Sequence, residues 1–276
     1  MRVAMRLDGP LVAIATLQAW CPAASRRAIA AWRAREWQRQ RRRARVVQWH
    51  APGRVWAMDF SHAPQPIEGH YRALLHVRDL ASRCHLAALP VPRLSTPAVC
   101  GLVRALCATA DPPLVLKVDN GSAFRSRPLQ VWAASVGTQL LYSPPRTPRY
   151  NGAIEGSIGA LTTRAHHAAV LSGHPESWTC ADVEAARLAT NTMPTPSTQP
   201  SALDRWQHAT AITATERRHF AAACAAAAQP MTTTNRALQQ RTAIVDTLQR
   251  FGYVSITRRA NLVHQLNSKP RQELRA

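Results

Sequence analysis

Between Arg54 and Tyr142 the chain runs through apolar stretches too short to be helices and separated by turn residues, and this rhythm constrains the fold more than any other feature. Ala51–Pro52–Gly53 is a turn signal, and after it Arg54–Ser61 (RVWAMDFS), His70–Val77 (HYRALLHV) and Cys84–Leu89 (CHLAAL) read as strands. The short polar links between them predict an antiparallel meander. Ser95 then caps a helix from about Thr96 to Thr109. Leu114–Asp119 (LVLKVD) is a short apolar strand ending in an acid, Arg127–Val136 a helix, and Thr138–Tyr142 (TQLLY) a strand. Three prolines fall within Ser143–Arg149 (SPPRTPR) and exclude regular structure there. A long helix is predicted from near Asn151 to about Leu171, and another over Thr179–Asn191. The order strand-strand-strand-helix-strand-helix-strand-helix predicts an α/β fold, a mixed sheet with helices packed on it.

The flanks read differently. Residues 25–45 begin at Ser25 and place Ile29, Trp32 and Trp37 loosely on one side of a basic helix that contains Arg41, Arg42 and Arg43. Such a segment either lies on DNA or is a solvated arm. After the second long helix comes a linker-like stretch, Met193–Pro200, then an alanine-rich helical run at 221–228, a helix over Arg236–Phe251 and a short strand at Tyr253–Ile256. The expected division is a basic helical segment over 1–50, a core over 51–195, and helices with a basic end over 196–276.

Charge separates these parts. The chain has 276 residues, 35 Lys+Arg against 15 Asp+Glu, and a formal charge of +20. Residues 1–45 carry a net +9 and residues 232–276 a net +6, whereas 46–200 carry only +4. Two basic arms around a nearly balanced centre suit a polyanion held by phosphate contacts outside a packed domain. The apolar fraction of 46% is ample for that domain's core and argues against a disordered chain.

Other classes find little support. The six cysteines (Cys21, Cys84, Cys100, Cys107, Cys180, Cys224) form no CxxC pair and lack zinc spacing with the histidines, so all six are expected to be buried, reduced thiols. No stretch approaches a membrane span. Residues 10–24 follow Arg2 and Arg6 in the manner of a signal peptide, but Asp8, Pro10 and Trp20–Cys21 fit that poorly. A cytoplasmic, nucleoid-associated location is expected.

The scarce acids carry the chemistry. Asp59 sits within the first strand among Trp56, Met58 and Phe60. Asp119 ends the strand LVLKVD, and Glu155 lies in the first turn of the long helix, with 35 residues between the two. An ionised carboxylate on an apolar strand is costly unless compensated. Three carboxylates brought together repel one another when empty and bind hard divalent cations through oxygen. Two Mg²⁺ ions roughly 3.5–4 Å apart suit an in-line phosphodiester displacement.

Three motifs surround these acids: W-A-M-D-F at 56–60, V-D-N-G-S-A-F at 118–124, and P-x-x-P-x-x-N-G-x-x-E from Pro145 to Glu155. Over roughly residues 50–195 the sequence resembles the DDE transposases and retroviral-type integrases of the ribonuclease-H-like superfamily, especially bacterial insertion-sequence transposases. The 35-residue gap matches the spacing typical of that family. The resemblance implies that Asp59 and Asp119 share two Mg²⁺ ions, for which Mn²⁺ substitutes, and that Glu155 completes one of them. It further implies hydrolysis of a strand at the element end, attack of the freed 3′-hydroxyl on target double-stranded DNA, and a homo-oligomer assembled on that DNA. No covalent protein–DNA intermediate is implied.

Neighbouring residues receive supporting roles. Asn120 and Gly121 suit a tight exit from the strand with backbone close to DNA. Asn151 suits a helix cap. Arg146, Arg149 and Tyr150 either touch the DNA backbone or belong to a solvated loop. Asp79 is expected in a structural turn or an ion pair with Arg78 or Arg83. His62 reads as an ordinary hydrogen-bonded residue, and His166–His167 have no acid partner at ligand spacing.

The sequence departs from the family pattern twice. Relatives often carry a lysine or arginine six to eight residues past the glutamate; here those positions are Leu161, Thr162 and Thr163, with Arg164 one step later. The region before the core is only about 50 residues, so end recognition is reduced, supplied by 232–276, or supplied by an upstream DNA-binding polypeptide. Two rivals stand beside the transposase reading: an inactive or truncated DNA-binding relative, and a nuclease of the same superfamily acting on RNA–DNA hybrids.

Overall fold

The computed structural model describes residues 30–35, 45–144, 152–194, 200–228 and 236–258. In chain order its elements are β1 (Arg45–Trp49), β2 (Val55–Ile67), β3 (Tyr71–Asp79), β4 (His85–Val91), α1 (Thr96–Leu106), β5 (Val115–Val118), α2 (Arg127–Ser135) and β6 (Gln139–Tyr142). There follow α3 (Gly152–Leu171), α4 (Cys180–Thr192), α5 (Ala202–Gln207), α6 (Ala214–Ala228), α7 (Arg236–Arg250) and β7 (Val254–Arg258). Gln48–Ser255 group into one compact unit, through which the expected boundary at 195 runs; Met1–Val47 and Ile256–Ala276 group separately.

Five strands form one sheet in the order β4-β3-β2-β5-β6. The predicted meander is its antiparallel half: β2 pairs with β3, and β3 with β4. β5 then joins β2 in parallel, and β6 joins β5 in parallel. The parallel half needs crossovers, which α1 and α2 supply. Ser95 caps α1 as expected, its Oγ accepting from Ala98 N at 3.4 Å. Thr179 and Asp182 form a reciprocal capping box that starts α4.

Strand alternation divides the core between two faces. On one face Trp56, Met58, Leu75, Val77, Leu116 and Val118 meet Val99 and Val103 of α1 and Leu129 and Trp132 of α2. On the other, Ile67, Leu74 and Ala88 meet Leu161, Ala165 and Ala169 of α3 and Val183 and Ala186 of α4. Each large apolar side chain buried here contributes about 1.5–3 kcal/mol.

Helices close both sheet edges. Asn191 of α4 both accepts from His85 N (2.8 Å) and donates to His85 O (2.9 Å), completing hydrogen bonds that β4 would leave open. At the opposite edge Arg241 Nε of α7 donates to Tyr142 O of β6 at 3.1 Å.

Several expectations need correction. β2 runs on to Ile67 rather than ending at Ser61; Pro64 and Pro66 are tolerated because the ladder to β3 is irregular between His62 and Ile67. Residues 45–49 extend as β1, paired with β7, just where the helix expected over 25–45 ends; Val46 and Val47 favour strand. Within that helix only residues 30–35 are described, and they are helical; Ser25, Ile29, Trp37 and Arg41–Arg43 lie outside the described residues. The short helix α5 was not expected, although Ser201 and Asp204 form its capping box. Cys84, Cys100 and Cys224 are buried, but Cys107 and Cys180 are only half-buried, and Cys21 lies outside the described residues. Among the described residues, no helix is long and apolar enough to cross a membrane.

Candidate active site

The register of the sheet determines which side chains meet. Directly opposed residues share a face, and the faces alternate along each strand. Trp56, Met58 and Phe60 point into the core under α1 and α2, so Ala57, Asp59 and Ser61 point the other way. Ala57 aligns with Lys117 on β5, which puts Lys117 on that second face. Asp119, two residues further and just past the strand's end, follows it. α3 packs on this same face, and Glu155 lies in its first turn.

Electrostatics bear out the approach. Burial raises the Asp59 carboxyl to about 6, and the negative charges of Asp119 and Glu155 push it further in that direction. The N–H of Phe60 donates to Asp59 Oδ1 at 2.8 Å and pulls against the rise, as does Lys117. Lys117 is only 7% exposed; burial lowers its ammonium to about 8, opposed by Asp59 and Glu155. Asp59 thus lies within the fields of two further carboxylates and one buried cation. Among the described residues, no three Asp, Glu, His or Cys side chains are already drawn around one point.

The exit from β5 is tightly specified. The N–H of Gly121 donates to Asp119 Oδ1 at 2.8 Å. A Cβ at residue 121 would stand 3.0 Å from that same oxygen, closer than side chains normally approach. Any larger residue here would make the Asp119 carboxylate shift by a few tenths of an ångström. Asn120, itself exposed, donates through Nδ2 to Ser143 O at 2.7 Å, tying this exit to the end of β6.

The remaining sequence candidates are placed as follows. Arg146, Arg149, Tyr150 and Asn151, like Arg41–Arg43, lie outside the described residues. Arg164 is nine residues beyond Glu155, on roughly the opposite side of α3. Its guanidinium reaches Ala160 O at 3.5 Å and Met193 Sδ at 3.6 Å, so α3 does not bring it to the carboxylates. Asp79 is a turn residue: it accepts from Gly53 N (2.9 Å), Ser82 N (2.7 Å) and Ser82 Oγ (2.6 Å), and among the described residues it makes no ion pair with Arg78 or Arg83. Gly53 makes its bond at φ 84, a conformation open to glycine. His62, His166 and His167 are exposed.

Sequence reasoning missed two residues on this face. Lys117 is one of only two lysines in the chain, the other being Lys269, among 33 arginines. That substitution pattern was a readable signal. Arg78 donates from Nη1 to Ala153 O at 2.6 Å and from Nε to Arg83 O at 3.1 Å, contacts that no spacing in the sequence announces.

The donor set suits a hard divalent cation. Asp59 and Asp119 each spend one oxygen on a backbone N–H and keep the other, Glu155 is exposed, and all three offer oxygen alone.

Residues 50–148 match the family model of the integrase core domain. No curated protein matches the sequence. Among solved structures the chain is similar to a simian T-cell lymphotropic virus intasome in complex with the PP2A regulatory subunit B56 gamma, at 20% identity and a TM-score of 0.50. That match covers 60% of each chain. It is also similar to the magnesium-bound HTLV-2 integrase catalytic core domain in its trimeric form, at 17% identity and a TM-score of 0.46, covering 57% of this chain and 96% of that one. The match to the integrase core domain thus spans about a third of the chain, and the mixed sheet has the ribonuclease-H-like fold.

Proposed function

We infer that this chain is a metal-dependent polynucleotidyl transferase of the DDE type, cutting and joining DNA at the ends of a mobile element. The observation that supports the reading is that Asp59, beside a parallel strand pair, feels the charges of both Asp119 and Glu155, and that the buried Lys117 feels those of Asp59 and Glu155.

Asp59, Asp119 and Glu155 would hold Mg²⁺ or Mn²⁺. When bound, two such ions lower the pKa of an attacking oxygen and stabilise a leaving one. The chain's own residues do the rest. Phe60 N and Gly121 N fix the carboxylates of Asp59 and Asp119 by one oxygen each, leaving the second free to turn toward a ligand. Lys117 offsets part of the negative charge that the three acids gather.

The chemistry balances as two displacements at phosphorus. In the first, water oxygen bonds to phosphorus and the bond to a 3′-oxygen breaks, freeing a 3′-hydroxyl. In the second, that hydroxyl's oxygen bonds to a target phosphorus and the target's own 3′-oxygen leaves with a proton. Arginines of the two basic arms would neutralise DNA phosphates, making binding fall steeply with salt. Assembly as a homo-oligomer on DNA belongs to the same proposal; the simian viral neighbour is an intasome. End recognition would come from residues 232–276 or from a separate DNA-binding polypeptide.

The experiment incubates the purified chain with duplexes carrying the element's terminal sequences, in Mg²⁺, Mn²⁺ or EDTA. The expected result is metal-dependent nicking at the 3′ end and joining to target duplex, both lost in Asp119→Asn. Salt-sensitive binding with no metal-dependent cleavage would overturn it in favour of a DNA-binding relative that keeps the fold.

A further inference from the structure

Glu155 differs from its two partners in how it is held. Asp59 lies on a central strand, paired with His76 in the ladder, and Asp119 stands just past the end of β5; a backbone N–H holds one oxygen of each. Glu155 stands in the first turn of a helix whose main apolar grip is elsewhere. Leu161, Ala165 and Ala169 of α3 anchor its middle and far end in the core. The first turn itself offers the core Ile154 alone, and Ser157 in the next turn bonds back through Oγ to Ile154 O at 2.8 Å. A helix tends to fray at its ends unless something outside it binds there.

Among the described residues Arg78 supplies one such bond, made to a carbonyl of the first turn rather than to its free N–H groups. It pairs with Ala57 across β3 and β2, as His76 pairs with Asp59, so Arg78 and Asp59 rise from the same face on neighbouring strands. From there the Arg78 guanidinium donates to the carbonyl of Ala153, two residues before Glu155, at 2.6 Å. The same fork donates through Nε to Arg83 O at 3.1 Å, in the turn between β3 and β4. The planar guanidinium therefore ties one sheet turn and one helix turn at a fixed separation, which a single ammonium would hold less rigidly. Two of its donors go to carbonyls, and no carboxylate bond to it is present among the described residues.

We propose that Arg78 is a positioning residue for Glu155: it clamps the first turn of α3 to the sheet face that bears Asp59, and so sets where the third carboxylate stands relative to the other two. The proposal rests on the metal-dependent reading above. Supporting groups of this kind typically change metal affinity or activity by about 10–100-fold when removed.

The test uses the full chain with Arg78→Met, Arg78→Lys and Asp119→Asn beside the parent. Mn²⁺ binding is followed by electron paramagnetic resonance without DNA, backbone amide exchange by mass spectrometry, and strand transfer as a function of Mg²⁺. Arg78→Met should weaken Mn²⁺ binding about tenfold, speed exchange in the peptide covering 152–158 while leaving 161–171 protected, and raise the Mg²⁺ needed for half-maximal rate; Arg78→Lys should recover part of each. Parent-like metal binding and exchange in Arg78→Met would overturn the proposal, as would a uniform rise in exchange along α3. If Arg78→Met does not fold, Arg78→Lys carries the same comparison, and parent-like values there overturn it. Activity retained in Asp119→Asn would instead sink the metal-dependent reading, whatever Arg78 does.

Discussion

The two faces of the five-stranded sheet are built from the same strands and do different work. Under α1 and α2 the face is sealed by Trp56, Met58, Leu75, Leu116, Val118, Phe124 and Trp132, and holds the fold together. Under α3 and α4 the apolar contacts gather around Ile67, Leu74 and the far part of α3, while Asp59, His76, Arg78 and Lys117 occupy the rest. These polar groups are costly to bury: Asp59 is pushed up to about 6, Lys117 down to about 8 and His76 down to about 4, burial being the leading cause in each. A fold optimised only for stability would not place them there. One side of a single strand can thus supply cohesion while the other supplies reactivity, because successive side chains alternate.

The contrast can be broken by substitution. Asp119→Asn, on the reactive face, should lower strand transfer at least about a thousandfold, equivalent to about 4 kcal/mol of barrier, while urea unfolding stays near the parent's. Leu116→Ala, on the sealed face, should do the reverse. Its unfolding free energy should drop by about 2–5 kcal/mol, with residual activity following the folded fraction. Equal losses of stability in both variants would abolish the distinction between the faces.

Gly121→Ala tests placement more finely. A methyl 3.0 Å from Asp119 Oδ1 forces the carboxylate aside, so activity should fall by up to about 100-fold with thermal unfolding little changed. The smallest effect is on stability against pH. The Asp59 pKa is raised from 3.8 to about 6 on folding, so the folded state binds this proton more tightly than the unfolded state. Its presence as a carboxylate therefore costs stability increasingly as pH rises from about 4 to 6, and by a constant amount above that. Without divalent metal, Asp59→Asn should melt higher than the parent at pH 8, and the gain should vanish near pH 3.5. A gain that grew on acidification would contradict the assigned environment of Asp59.

Much of this was legible in the sequence. Apolar runs bounded by turn residues located all five strands of the main sheet, because a half-buried strand has to advertise its period. Asp59 and Asp119 stood out because an acid on an apolar strand demands a reason, and Glu155 by its motif and its spacing from Asp119. What the sequence hid depended on tertiary contact. β1 pairs with β7, more than two hundred residues later, so no local pattern marks it. The irregular ladder past His62 let β2 run through two prolines that locally argue for its end. The bond from Asn120 to Ser143 O and the turn of Arg164 toward Met193 likewise have no local signature. The close approach of Gly121 to the Asp119 carboxylate is equally invisible in the sequence. The bond from Arg78 to Ala153 joins residues 75 apart and could be found only by folding the chain.

The most direct test of the central claim is to soak crystals of the chain with Mn²⁺ and collect anomalous scattering at the manganese edge. The account predicts a peak bonded at about 2.1 Å to carboxylate oxygens of Asp59 and Asp119, with Glu155 beside it. A Mn²⁺ peak elsewhere with these three carboxylates left empty, or no peak at saturating Mn²⁺, would contradict it.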